Sequence, residues 1–139
     1  MARIVGVDYG SKSVGLAIAD PLNFFASPLG SHPPNQSIRV LSDLNQDEGI
    51  STLVVGWPPP LDKEGRIHAR IRGWVDRVRL AVEDVEIVFV DESFSSIEAS
   101  EILVDAGVRK SQRRNKGRVD QAAASIILQR YLDSLDHGE

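Results

Sequence analysis

Residues Arg3 to Asp20 read RIVGVDYGSKSVGLAIAD, and the rest of the chain is arranged around this stretch. Two apolar runs, Ile4-Val5-Gly6-Val7 and Val14-Gly15-Leu16-Ala17-Ile18-Ala19, flank Asp8-Tyr9-Gly10-Ser11-Lys12-Ser13, a segment with the glycine, serine and charge of a hairpin connection. Two paired strands are expected. Asp8 is the odd residue, an acid placed where the first strand ends, in a segment apolar enough for the middle of a sheet. A bare carboxylate there is costly to desolvate. Either a positive group sits opposite it, or it lies at the open end of the sheet and binds something. The second alternative requires partners from elsewhere in the chain.

At 139 residues the chain is expected to form one domain, 1–139, with a single core. It has no cysteine, which excludes disulfides, thiolate metal sites and cysteine catalysis and leaves oxygen or imidazole as metal donors. Asp8 and Lys12 interrupt the apolar N-terminal segment, and no membrane-length apolar run occurs, so a cytoplasmic protein without membrane partners is expected. A net charge of −4 argues against indiscriminate coating of nucleic acid. Its distribution is uneven: RKSQRRNKGR, Arg109 to Arg118, has six basic residues in ten and no acid.

Downstream of the hairpin, Asp20 before Pro21 reads as turn chemistry. Phe24 to Leu29 suggests a short strand near an edge, because of Pro28. His32 to Asn35 reads as a loop, followed by a helix from about Gln36 to Glu48 that Gly49 ends. Thr52-Leu53-Val54-Val55-Gly56 suits a strand buried on both faces, with Trp57-Pro58-Pro59-Pro60 as extended loop. Ile67, Ile71, Trp74, Val75, Val78 and Val82 form a helical stripe, with Arg66, Arg70, Arg72, Arg77 and Arg79 on its solvated side. Glu86 to Val90 reads as another buried strand running into Asp91-Glu92. Ser95 and Glu98 fit a capping box opening a helix that Gly107 stops. The basic stretch reads as a loop. A last helix, about Arg118 to Ser134, has Val119, Ala122, Ala123, Ile126, Tyr131 and Leu132 as its core side and Asp120 in its first turns.

An antiparallel start followed by alternating helix and strand implies an α/β fold, a mixed sheet with helices against its faces. Functional sites of open α/β sheets gather outside the carboxyl ends of strands. Asp8 and Asp91-Glu92 sit at such ends, and a final helix across the sheet would bring Asp120 beside them. Clustered carboxylates repel one another, and divalent cations remove the conflict. Oxygen donors suit Mg²⁺ or Mn²⁺ rather than zinc, and two such ions would stabilise the attacking and leaving oxygens of a phosphodiester.

GVDYGSKSVGLAIAD, VVGWPPPLDKEG, VDESFSSIEA and KGRVDQAAASIILQRYL, in this order across nearly the whole chain, resemble the motifs of the YqgF (RuvX) family. That family comprises Holliday-junction resolvases and pre-16S rRNA nucleases with an RNase H-like fold. The resemblance implies a metal-dependent nuclease on a five-stranded mixed sheet, with Asp8, Glu92 and Asp120 as catalytic metal ligands and Asp91 in reserve for Glu92. Maturation of pre-16S rRNA is its first implication, which favours RNA; resolution of DNA junctions is the alternative and would call for a homodimer. A different class of function, a non-catalytic module that binds structured nucleic acid, is the remaining rival. Lys116, then Arg113, Arg114, Arg118, Arg109 and Lys110, are expected on the phosphate backbone, and Ser11 and Lys12 beside Asp8 either touch the substrate or shape the turn. The chain departs from the family at Ser93, where DER has arginine, and at Trp57, where VGLP has an aliphatic side chain. Trp57 either stacks on an unpaired base or packs over the sheet end. His32, His68 and His137 share no spacing with each other or with the acids, so zinc and a histidine base are unsupported.

Overall fold

The computed structural model describes residues 2–10, 12–58, 65–91 and 121–135, and the backbone of 116–120. Strand β1, Arg3–Tyr9, pairs antiparallel with β2, Val14–Ala19, so that Val5 faces Ile18, Val7 faces Leu16 and Asp8 faces Gly15. The Gly10 N–H donates to the Ser13 carbonyl at 2.8 Å and closes the connection. On the other side of β1 lies β4, Ile50–Trp57, parallel to it, with Val7 opposite Val55. The five strands follow the order β3-β2-β1-β4-β5, with β3 at Ala26–His32 and β5 at Glu86–Asp91. The mixed sheet expected from the sequence is therefore present.

Strand alternation sorts the side chains into two layers. Val5, Val7, Leu16, Leu53 and Val55 share a core with Leu41 of α1, Pro34–Asp47, and with Ile71, Trp74, Val75 and Val78 of α2, Arg66–Ala81. Ile4, Ala17, Ala19 and Val54 pack on the opposite face against Ala124, Ile127, Leu128 and Leu132 of α3, Lys116–Ser134. The α2 stripe is buried as expected apart from Ile67, which is only partly covered, and its arginines are exposed. Among the described residues, one buried polar pair crosses the first layer: the Trp74 indole donates to Ser37 Oγ at 3.0 Å, and that hydroxyl donates to the Pro34 carbonyl at 2.6 Å.

Several boundaries differ from the sequence expectation. β3 begins two residues later and runs on to His32, and α1 starts at Pro34, because proline lacks only an N–H that the first helical turn leaves unpaired in any case. Trp57 is the last residue of β4 rather than loop, since pairing with Asp91 of β5 continues that far. β5 is only partly buried: at the sheet edge, with a neighbour on one side, it leaves Phe89 45% exposed. On α3 the buried side is Ala123, Ala124, Ile127, Leu128 and Leu132, whereas Ala122, Ile126 and Tyr131 are only partly covered. Apolar residues surround this helix on most sides, so its own sequence does not select a face. The selector is Gly6, whose missing side chain admits the helix: a Cβ there would stand 2.6 Å from Leu128 Cβ and 2.8 Å from the Ala124 carbonyl oxygen. The expected capping-box helix and residues 109–115 of the basic stretch expected as a loop lie outside the described residues, whereas Lys116 and Gly117 of that stretch already belong to α3, which begins two residues earlier than expected.

Candidate active site

Asp8 is the second-last residue of the central strand and is 8% exposed. Val5 and Val7 point into the α1/α2 layer, so alternation puts Asp8 on the α3 face with Gly6. Its neighbours on that face carry no side chains. Gly15 is directly opposite on β2, and the β1/β4 register brings Gly56 level with it on β4. The sequence reading singled out Asp8 but passed over these three glycines. Glycine inside a strand is the available signal, because it marks a place where something approaches the backbone closely.

The run of α3 over this face follows from two contacts. Gln129 holds the start of β3, accepting from the Ala26 N–H and donating to the Phe24 carbonyl, and Ala26 pairs with Ala19 near the beginning of β1. Ala124 and Leu128 sit over Gly6. The helix therefore runs antiparallel to β1, with its N-terminal turns towards the Asp8 end. From the level of Gly6 the helix backbone rises about 9 Å to residue 120. The strand advances about 7 Å from Gly6 to Asp8. The backbones of Asp8 and Asp120 thus lie at the same end of the same face, with Lys116 and Arg118 further along the same helix.

Asp91 is brought to this end but not to this face. It pairs with Trp57, whose ring packs in the α1/α2 layer, and alternation puts Asp91 on that side too. Glu92, Arg109, Lys110, Arg113, Arg114 and Ser11 lie outside the described residues. Lys12 is exposed in the hairpin connection beside Asp8. Among the described residues no three histidine, aspartate or glutamate side chains converge. Within the described set, Asp8 supplies a hard oxygen donor walled by glycine rather than alkyl groups, an environment that a hydrated divalent cation fits.

Two further residues behave as the sequence suggested. Asp20 organises the β2–β3 turn, its carboxylate accepting N–H bonds from Leu22, Phe24 and Phe25 at 3.1, 2.8 and 2.7 Å. The Phe25 amide bond, followed by those of Phe24 and Leu22, holds the Asp20 carboxyl below its ordinary value of 3.8. Trp57 packs over the sheet end, 4.6 Å from the His68 ring and 5.1 Å from Phe89, centroid to centroid. His68 is itself anchored, one ring nitrogen 2.7 Å from the Pro58 carbonyl oxygen.

Among solved structures, Thermus thermophilus RuvC in complex with a Holliday junction substrate matches with a TM-score of 0.56 at 15% identity, over 95% of this chain and 94% of that one. Fowlpox virus resolvase, solved with junction DNA, matches with a TM-score of 0.50 at 16% identity, over 95% and 97%. At such identities the likeness is one of fold, and it is the RNase H-like fold expected from the motifs. Sequence relatives are nearer. A Salinibacter ruber protein provisionally named pre-16S rRNA nuclease is 44% identical over 135 residues, 95% of this chain and 93% of its own length. A Chlorobium luteolum protein of the same provisional name is 43% identical over 132 residues, 94% of each chain. A sequence model described as RuvX, Holliday junction resolvase, matches residues 2–134, and with these relatives it shows that the chain belongs to the RuvX family.

Proposed function

We propose that this protein is a divalent-metal-dependent nuclease that hydrolyses phosphodiester bonds in RNA, in the maturation of pre-16S rRNA in the cytoplasm. The observation that carries the proposal is Asp8: a carboxylate 8% exposed at the carboxyl end of the central strand, with glycine at each neighbouring position on its face. A carboxylate at the carboxyl end of a strand, where the sites of open α/β sheets gather, offers a hard oxygen donor to a divalent cation. The provisional names of the relatives supply the substrate.

Asp8, Glu92 and Asp120 would hold Mg²⁺ or Mn²⁺, which supplies a nucleophilic hydroxide and charge stabilisation at the phosphorus. Glu92 is preferred to Asp91, whose strand position is on the opposite face from Asp8. Lys116 and Arg118, on the helix that carries Asp120, would hold the phosphate backbone, joined by Arg109, Lys110, Arg113 and Arg114 and, beside Asp8, by Lys12 and Ser11. No helix among the described residues is long and apolar enough to cross a membrane.

A second function has specific support, since the family description and the RuvC and Fowlpox neighbours refer to Holliday junctions. Junction resolution would require two copies of the chain presenting paired sites. The test is cleavage of matched RNA and DNA, as single strands, duplexes and four-way junctions, with Mn²⁺, Mg²⁺ or EDTA, with Asp8→Ala alongside. RNA cleavage that needs metal and disappears in Asp8→Ala supports the proposal. Cleavage confined to four-way DNA transfers it to the resolvase. Binding without cleavage by wild type and variant alike rejects both in favour of a non-catalytic module.

A further inference from the structure

The sheet end that carries Asp8 also carries a cluster of rings and charge on its other face. Trp57 ends β4, one residue beyond the level of Asp8, and its indole is fixed between His68 and an edge-on Phe89, the latter at an interplanar angle of 71°. The Arg72 guanidinium lies over the indole with its carbon 5.1 Å from the ring centroid. Between Trp57, Arg72 and Phe89 a cleft of about 320 Å³ opens to the surface. Phe89 is 45% exposed and Arg72 is exposed. Among the described residues no carboxylate pairs with Arg72, Asp76 one turn along the helix included.

These features share one chemistry. A planar guanidinium laid against an aromatic ring loses little freedom when it binds a phosphate, and a half-uncovered phenyl beside it offers a face for stacking. Arg79 lies two turns on along the same side of α2, beyond Asp76, in a chain whose net charge is −4. A surface aromatic that only closed the core would need neither an unpaired cation nor an open apolar cleft next to it. Duplex nucleic acid keeps its base faces covered, so stacking of this kind selects unpaired bases.

We infer that the Trp57–Arg72–Phe89 cleft binds an unpaired base, stacked on Phe89, and its adjoining phosphate, held by Arg72. The ligand is single-stranded nucleic acid, a few nucleotides along from the bond presented at Asp8. This inference deepens the nuclease proposal and rests on it. It also gives a role to the indole that this chain has where the family pattern has an aliphatic side chain.

The test is fluorescence anisotropy in EDTA, with the full chain titrated against a labelled short single-stranded RNA and against the blunt duplex of the same sequence. Phe89→Ala should bind the single strand about tenfold more weakly and the duplex unchanged. Arg72→Gln should lower the salt dependence of single-strand binding by about 0.7 in the log–log slope, the loss of one phosphate contact. Both side chains are exposed, so both variants should keep the wild-type melting temperature; Trp57→Leu, which could disturb the fold, is secondary. Single-strand affinity within about twofold of wild type in both variants overturns the inference, and so does an equal loss on duplex. Wild-type protein that binds neither strand nor duplex overturns the nuclease proposal together with the cleft. Metal-dependent cleavage by the wild type with indifferent Phe89 and Arg72 variants overturns the cleft alone.

Discussion

Substituting alanine for Gly6 adds one methyl group at the closest approach between the sheet and α3. That Cβ would lie 2.6 Å from Leu128 Cβ and 2.8 Å from the Ala124 carbonyl oxygen. Carbon atoms in contact sit about 3.5–4.0 Å apart, so the helix must retreat by about 1 Å. Neither opposing atom is the end of a flexible side chain, and overpacking of a close-packed core costs about 1–3 kcal/mol. For a chain of this size that corresponds to a fall in melting temperature of roughly 3–10 °C. The same displacement would shift the helix that carries Asp120 relative to Asp8, and a misplacement of about 1 Å can cost on the order of a hundredfold in rate. The internal control is Gly73→Ala, in the middle of α2, where a Cβ meets nothing within 4 Å. There the same chemical change should stabilise by about 0.5–1 kcal/mol through helix propensity. Thermal and urea unfolding of both variants, with cleavage rates for the first, provide the assay. A Gly6→Ala protein as stable as wild type, or two variants shifted in the same direction, would refute the assignment of Gly6 as the contact that sets the helix position.

Three other outcomes are expected. Because the folded-state pKa of Asp20 lies below its ordinary 3.8, its contribution is fully present above that value and disappears as pH falls through the lower, folded value. The difference in urea midpoint between wild type and Asp20→Asn should therefore be constant from neutral pH down to about pH 5 and narrow in the acid range below about pH 4; a gap that widens on acidification contradicts the role of the Leu22, Phe24 and Phe25 amides. Ser37→Ala leaves the buried Trp74 N–H without its acceptor and should cost about 1–3 kcal/mol in chemical unfolding, whereas a loss below about 0.5 would show that the 3.0 Å bond contributes little. Gln129→Ala cuts both bonds that tie α3 to the chain at Phe24 and Ala26, and should cost about 1–2 kcal/mol. It should also speed amide exchange at Ala26, and unchanged exchange there would rule out the tether.

Much of the architecture is legible residue by residue, because it depends on local rules. The hairpin follows from two apolar runs around a Gly-Ser connection, and the α2 stripe from 3.6-residue periodicity. The Asp20 turn follows from the tendency of an aspartate to bond amides a few residues downstream. Asp8 stood out for a related reason, as a charge set among apolar neighbours at a strand end. The motifs named Asp8, Glu92 and Asp120, but nothing local says which of Asp91 and Glu92 shares a face with Asp8.

The remainder was decided by tertiary contact. A helix apolar on most sides does not state which side it buries, and α3 takes its face from the gap at Gly6, a residue more than a hundred positions away. β5 reads as a buried strand because its composition suits one, yet whether a strand has one neighbour or two is a property of the sheet order. The side on which Asp91 lies is fixed by its register with Trp57, and register is a relation between strands. The sequence by itself determined most of the elements and singled out the acid around which the candidate site is proposed, since those depend on neighbours along the chain. The tertiary structure alone determined which faces meet, because a face acquires its meaning only from what is packed against it.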